Sequence, residues 1–503
     1  MKKKLFAAID VGSYELSMKI YEISSGTKEW KQIDYIRHRI DLGTESYSKG
    51  ILSYERMDEL CHVLREFKQI MDSYRVDDYK AYGTSAIREL HNTMIVLDQI
   101  ENRTGIAVEV LSNSEQRFLD YKSVASAGDG FEEIIKKGTA ILDIGGGSIQ
   151  LSLFDKDTLV TTQNMRLGVF RLNDQLKQIG AKPSHTASLL EELINDQLAV
   201  FKKLHLKDRK IDNLIVVDDY VAPSLKQYKE KNSSTYGYLS KNSYLELLEG
   251  GFFKEMTSSV VISSQLIKCT METLDAGFIW VPGVTLCDGI AYDYAVNNKL
   301  IRPEHDFEQD IIACAKNINN RYQGSRKRGE ALEKIALSIF DATKKLHGLG
   351  KRERLFLQIA ALLQDCGRYM SLTQVGDCSY NIVMNTEIIG LSHAERQVLA
   401  NIVRFNHDDF IYYEAIASTS TIDRSEYLII AKLTAILRLA CALDSSHKQK
   451  FTNVKITLDE GELILRVDTD QNIELEKGLF DEKAMFFEEV FNVHPVLKQK
   501  KSI

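Results

Sequence analysis

Proline is scarce in this chain, five residues in 503, and no low-complexity or Gly/Ser-rich stretch marks a linker. Domain limits must therefore come from residue pattern, and a chain of this length calls for two or three cores rather than one. Signals of covalent cross-linking are missing too. The seven cysteines are scattered without a CxxC pair, and their odd number leaves at least one free, which favours a reducing cytoplasm over a disulfide framework. No one sign of charge dominates: 64 Lys+Arg stand against 71 Asp+Glu, net −7, mixed along the chain, so the basic footprint of a nucleic-acid binder is absent. Long apolar runs are lacking as well. The opening MKKKLFAAID is interrupted by Asp10, too early for a secretory leader. Tyr427 to Leu443 carries Lys432 and Arg438, so it reads as a buried helix and not a membrane span. What remains is the composition of a soluble globular protein, 44% apolar and 27% charged.

Two segments repeat one pattern. Residues 5–24 read as strands around a glycine turn, FAAID-VGS-YELSMKIYEI, in which Leu16, Met18 and Ile20 alternate with polar residues. Residues 139–155, TAILD-IGGGS-IQLSLFD, do the same with Ile149, Leu151 and Leu153. Laying Asp10 on Asp143 matches strand, aspartate, aliphatic residue, glycine and strand, which implies a duplicated half-domain. Helical patterns occupy 57–74 and 188–204, and from about 303 the pattern is almost wholly helical through Leu443. VKITLDEGELILRVD then reads as a β-hairpin turning at Asp459-Glu460-Gly461. The expected division is 1–125 and 126–302 for the two half-domains and 303–503 for the helical part.

Each repeated turn places small residues directly after a strand that ends in aspartate. Glycine lets backbone approach a ligand closely, and successive N–H groups can cradle phosphate oxygens. Gly145-Gly146-Gly147-Ser148 is the stronger copy and Gly12-Ser13 the weaker. Asp10 and Asp143 are placed to hold Mg²⁺, directly or through water. Either turn alone could be an ordinary hairpin; two in register form a clamp for one phosphate chain.

At this point the sequence resembles the exopolyphosphatase/guanosine pentaphosphate phosphohydrolase (Ppx/GppA) family. The resemblance is carried by AAIDVGS at 7–13, YGTSAIREL at 82–90, VLSNSEQRFLDYKSV at 110–124, ILDIGGGSIQLSLFD at 141–155 and MRLGVFRL at 165–172. It continues through LHGLGKRERLFLQIAALLQDCG at 346–367 and AILRLACALD at 435–444. It implies an α/β fold: a duplicated actin-like ATPase (ASKHA, ribonuclease H-like) core followed by an all-α HD-like domain, here with a short terminal β-hairpin. It also implies Mg²⁺-dependent release of terminal phosphate from inorganic polyphosphate or guanosine pentaphosphate, in the cytoplasm, by a homodimer with no nucleic-acid or membrane partner.

The resemblance sets residue expectations too. Arg88 matches an arginine that contacts phosphate oxygens, for which a guanidinium is suited; a helix-capping surface arginine is the plain alternative. The general base of the family, a glutamate in S-G-x-E-E-A, falls at Gln116, and a second glutamate, in D-I-G-G-G-S-x-E, falls at Gln150. Glutamine can orient a water but cannot accept its proton. Glu115 is a substitute base, although Ser112-x-x-Glu115 also spells a capping box. Asp120, four residues after Gln116 and on its helix face, is another, and Glu15 a third. VVDDYVAP at 216–223 lacks the glycines of a nucleoside pocket, and Tyr14 replaces an asparagine of the first clamp. In the helical part, Arg328, Gln364-Asp365 and Cys441 stand where HD phosphohydrolases carry metal ligands, so metal chemistry is not expected there; His347, His393 and His407 read as core or surface histidines. The leading expectation is an exopolyphosphatase-type phosphohydrolase. The alternative is a catalytically impaired polyphosphate or (p)ppGpp-binding regulator, because both glutamates have become glutamines. A sugar kinase or acetate-kinase-like enzyme on the same core is disfavoured by the missing glycines.

Overall fold

The computed structural model describes residues 3–24, 30–127, 130–180, 185–226, 228, 237–254, 256–303, 305–418, 420–451, 454–459 and 461–500. They form two compact units, Met1–Phe307 and Glu308–Ile503.

The first unit contains the same sheet twice. Strands β1 (Lys3–Val11), β2 (Glu15–Ser24), β3 (Trp30–Arg39), β4 (Asp78–Gly83) and β5 (Glu109–Val110) are ordered β3-β2-β1-β4-β5. Strands β6 (Thr139–Ile144), β7 (Ile149–Asp155), β8 (Thr158–Met165), β9 (Asn213–Asp218), β10 (Tyr238–Ser240) and β11 (Phe278–Trp280) are ordered β10-β11-β9-β6-β7-β8. In each copy an antiparallel meander of three strands is extended by two parallel strands beside its first member, and the second copy adds β10, antiparallel to β11. This is the duplicated actin-like core. Both β6 and β9 are buried along their whole length, as continuous apolar strands in a covered sheet are.

Helix 57–74 of the sequence reading spans Tyr54–Tyr74, capped by Ser53, and lays Leu60, Leu64, Phe67 and Met71 into the core of the first sheet. Its counterpart over the second sheet is Thr186–Phe201, which buries Leu190, Ile194 and Leu198. In β2, Leu16, Met18 and Ile20 alternate with polar residues, and both faces of the strand are covered. The reason is the helix Leu286–Asn297, which crosses back onto the first sheet. Its Asp288 pairs with buried Lys19 at 2.6 Å and accepts from Tyr21 Oη at 2.6 Å, so the polar face of the strand is buried against charge.

The second unit is helical from Phe307–Arg321 to Arg424–Ala442. Among the described residues no helix is long and apolar enough to cross a membrane. The terminal hairpin is present as β12 (Val454–Asp459) and β13 (Glu462–Asp468); Glu460, in its turn, lies outside the described residues. The hairpin reading was incomplete, because a helix, Glu474–Phe491, returns the chain so that β14 (His494–Lys500) pairs parallel to β13.

Arg328, Asp365 and Asp444 meet inside this unit. The Arg328 guanidinium, 6% exposed, pairs with Asp365 through Nη1 and with Asp444 through Nε at 3.0 Å. Gln364 accepts from Asn406 at 3.1 Å, and its carbonyl meets His407 Nε2 at 2.6 Å. His347 is buried between the Phe340 carbonyl, 2.8 Å away, and the Leu349 N–H, 2.9 Å away, as a core histidine.

Burial drives His407 down to about 4, opposed by the Gln364 carbonyl and helped by Arg368 and Arg328. The unfolded chain therefore takes up this proton first, near 6.5. Stability is complete above that value and is lost progressively as pH falls from there to about 4, by roughly 3 kcal/mol. Urea unfolding of the wild type is expected to weaken across this window, and His407→Gln to flatten that part of the curve.

Candidate functional site

The two duplicated turns open onto one cleft of the first unit, about 1190 Å³ in volume. The first turn is closed by the Gly12 N–H donating to the Glu15 carbonyl at 3.1 Å, the second by the Gly145 N–H donating to the Ser148 carbonyl at 3.0 Å. These are the same bond at matched positions after Asp10 and Asp143. A Cβ on Gly12 would stand 2.8 Å from the Glu15 oxygen, so only glycine closes this turn. Ser13 is fixed by hydroxyls, with Tyr47 Oη at 2.8 Å and Ser85 Oγ at 3.1 Å.

The second turn is held by the helix after β8, Val169–Ile179. The Gly145 carbonyl accepts from the Val169 N–H at 3.1 Å, the Gly146 carbonyl from the Phe170 N–H at 2.9 Å, and the Gly147 carbonyl from Arg171 Nε at 3.1 Å. In a trans peptide the carbonyl and the next N–H point opposite ways, so the N–H groups of residues 146–148 face away from that helix. A row of such donors is an anion cradle. Gly168 lies against this backbone with no room for a side chain: a Cβ there would overlap Gly146 O, the Gly147 carbonyl carbon and Ser148 N.

Arg88 lines the cleft and is steadied by the Leu111 carbonyl at 2.6 Å and Asn113 Oδ1 at 2.5 Å. Burial first, then the charge of Arg117, lowers it to about 10, which leaves it cationic at neutral pH. Glu115 completes the capping box of the helix Asn113–Ala125: its Oε2 accepts from the Ser112 N–H at 2.9 Å while Ser112 Oγ accepts from the Glu115 N–H at 3.3 Å. It is not part of the cleft wall; Gln116, Arg117 and Asp120 are. Gln150 pairs directly opposite Asp143 in the β6–β7 register. It lies in a small cavity bordered by Arg117, Asp120 and Asp143, not in the main cleft.

Buried Asp120 has its proton affinity raised well above the ordinary carboxylate range, by burial first and by Asp143 next, with Arg117 opposing. Asp10 is shifted the same way by burial, Asp219 and Glu15, and its buried Oδ1 has no partner. Asp219, directly after β9, is exposed in the open cleft, with Asp143 as a neighbouring negative charge.

Asp219 was missed by the sequence reading, which weighed the stretch 216–223 only for absent glycines; an aspartate directly after a strand beside β6 was the available signal. Arg37, Arg39, Arg166 and Arg171 were also missed and join Arg88 and Arg117 as cleft arginines. Arg39 sits over the Tyr14 ring, 5.6 Å from its centroid, so Tyr14 serves as a wall that carries a cation.

Mg²⁺ suits the first turn better than the second. Asp10 offers an orphaned oxygen with Glu15 and Asp219 nearby, and an ion that keeps most of its waters needs little more. Asp143 also keeps an unpartnered oxygen, Oδ2, but its Oδ1 is paired to the Arg117 guanidinium, whose charge opposes a second cation there. Among the described residues no three His, Cys, Asp or Glu side chains form a ready-made metal cage.

Residues 20–233 match the model of the Ppx/GppA phosphatase family, and residues 312–486 match its domain III. A guanosine-5′-triphosphate,3′-diphosphate pyrophosphatase from Vibrio atlanticus is 20% identical over 483 residues, 92% of this chain and 91% of that protein. The bifunctional 3-dehydroquinate synthase/phosphatase of Fusobacterium nucleatum is 22% identical over 176 residues, 34% of this chain and 26% of that protein. The crystal structure of the Aquifex aeolicus member of the Ppx/GppA family overlaps 59% of this chain and 99% of its own, at 19% identity and a TM-score of 0.48.

Proposed function

The chain belongs to the Ppx/GppA phosphatase family, and from that premise we propose an exopolyphosphatase-type phosphohydrolase, cytoplasmic and homodimeric, that releases terminal orthophosphate from inorganic polyphosphate or guanosine pentaphosphate. The observation that carries this reading is the pair of turns closed by the same hydrogen bond on one cleft that six arginines line. A phosphate chain asks for backbone donors at its oxygens and guanidinium groups along its length.

Phosphoryl transfer is mainly positioning and charge stabilisation. The turn N–H groups and Arg88 hold the terminal phosphoryl group. Gln116 orients a water at phosphorus. As the new P–O bond forms and the bridging P–O bond breaks, the proton of the water passes to Asp120, one helical turn along the same wall. Mg²⁺, when bound at Asp10 with Glu15 and Asp219, supplies neutralisation of charge on the phosphate oxygens.

Purified full-length protein with Mg²⁺ and long-chain polyphosphate is expected to release orthophosphate, and Asp120→Asn to slow it about tenfold or more with little change in KM. No release, combined with a polyphosphate-induced rise in melting temperature, would replace this reading with that of a regulatory binder.

A further inference from the structure

Arg117 is charged, buried and not required by the steps above. It projects from the helix Asn113–Ala125 beneath the second turn, and only 5% of it is exposed. Four oxygens surround its guanidinium. Nη1 pairs with Asp143 Oδ1 and lies 4.0 Å from Asp120 Oδ2. Nη2 donates to the Ser148 carbonyl at 3.2 Å and approaches Ser148 Oγ at 3.4 Å. The same group underlies Gly145, where an added Cβ would meet Nη2 at 3.1 Å.

Two carboxylates, a carbonyl and a hydroxyl make up a donor set for a hard divalent cation. Here a covalently attached cation is seated among them. A second cation would have to displace it or accept its repulsion, and the low dielectric of a buried site makes that repulsion large. Each turn leaves one aspartate oxygen unpartnered, Asp10 Oδ1 and Asp143 Oδ2; the first turn differs in carrying Glu15 at the position of Ser148 and, among the described residues, in having no guanidinium paired to its aspartate.

We propose that Arg117 is a built-in counter-cation that takes the place of a divalent ion at Asp143, so that the second turn grips a phosphate chain without metal. The inference rests on the reading of the cleft as a phosphate-chain site and adds a division of labour within it. The first turn takes its cation from solution, and the second carries its own. Arg117 also ties the Ser148 carbonyl and Asp143 together, which fixes the turn in its binding shape before any anion arrives.

The test is binding, with hydrolysis assayed separately. Inorganic tripolyphosphate is titrated into the full-length protein by calorimetry, in EDTA and in Mg²⁺. The wild type is expected to bind in EDTA with a Kd within about tenfold of its Mg²⁺ value, and Arg117→Ala to lose roughly 30-fold or more of the EDTA affinity. Arg117→Lys keeps the charge without the fork and should fall between them. Electron paramagnetic resonance with Mn²⁺ alone should show an added metal site in Arg117→Ala. Wild-type binding that vanishes in EDTA overturns the proposal, whether or not the variants fold. So does an Arg117→Ala protein that binds in EDTA as the wild type does, or that holds no more Mn²⁺. Absence of phosphate release in Mg²⁺ would count against the phosphohydrolase reading and leave this result standing.

Discussion

Gln116→Glu is expected to raise orthophosphate release by roughly 10²- to 10³-fold, the gain that a positioned general base provides. Gln116 is on the cleft wall while the adjacent Glu115 is spent on the capping box, so the amide stands where family resemblance places the base. Restoring a carboxylate there shortens the path of the proton, which otherwise must reach Asp120. The new negative charge also repels the substrate, so kcat and KM should rise together. That split distinguishes a restored base from a general gain in binding. A rate left at the wild-type level would show that Asp120 already acts as base without limitation.

The second large effect concerns a residue that touches no substrate. Gly168→Ala forces a methyl group into Gly146 O, the Gly147 carbonyl and Ser148 N. Backbone on both sides is pinned by the helix Val169–Ile179, so the turn must move. Misplacement of reacting groups by about an ångström costs on the order of 100-fold in rate, and tripolyphosphate affinity should fall with it. Gly130→Ala, whose Cβ has an ordinary neighbour at 3.9 Å, is the matched control. Circular dichroism reports whether the fold survives. Wild-type turnover in a folded Gly168→Ala protein would mean that the second turn does not bind the reacting phosphate.

Much of this site was legible because its chemistry is local. The two turns, their aspartates and the Ser112-x-x-Glu115 cap each occupy a few consecutive residues, and short-range hydrogen bonds realise them as written. The repeat of those turns was enough to imply two copies of one half. Residues brought in by long-range pairing were not legible. Arg37 and Arg39 reach the cleft from β3, Arg166 and Arg171 from the end of β8 and the helix after it, and Asp219 from the end of β9. No spacing rule links those positions. Arg117 shows a different limit: a helix periodicity places it near the face of Gln116 and Asp120, yet only the fold reveals that Asp143 is its partner. The covered polar face of β2 escaped notice for the same reason, since its cover is a helix almost 270 residues later, 269 from Lys19 to Asp288.

That returning helix sets a limit on how the chain can be shortened. Asp288 is the counter-charge of buried Lys19, Cys287 Sγ lies 3.4 Å from Ser17 Oγ, and Gly289 lets the helix press against the Leu119 carbonyl. A fragment ending before residue 286 would strand the Lys19 ammonium group in the first sheet without its carboxylate. A shortened chain meant to keep the first unit should therefore run through Phe307, where that compact unit closes.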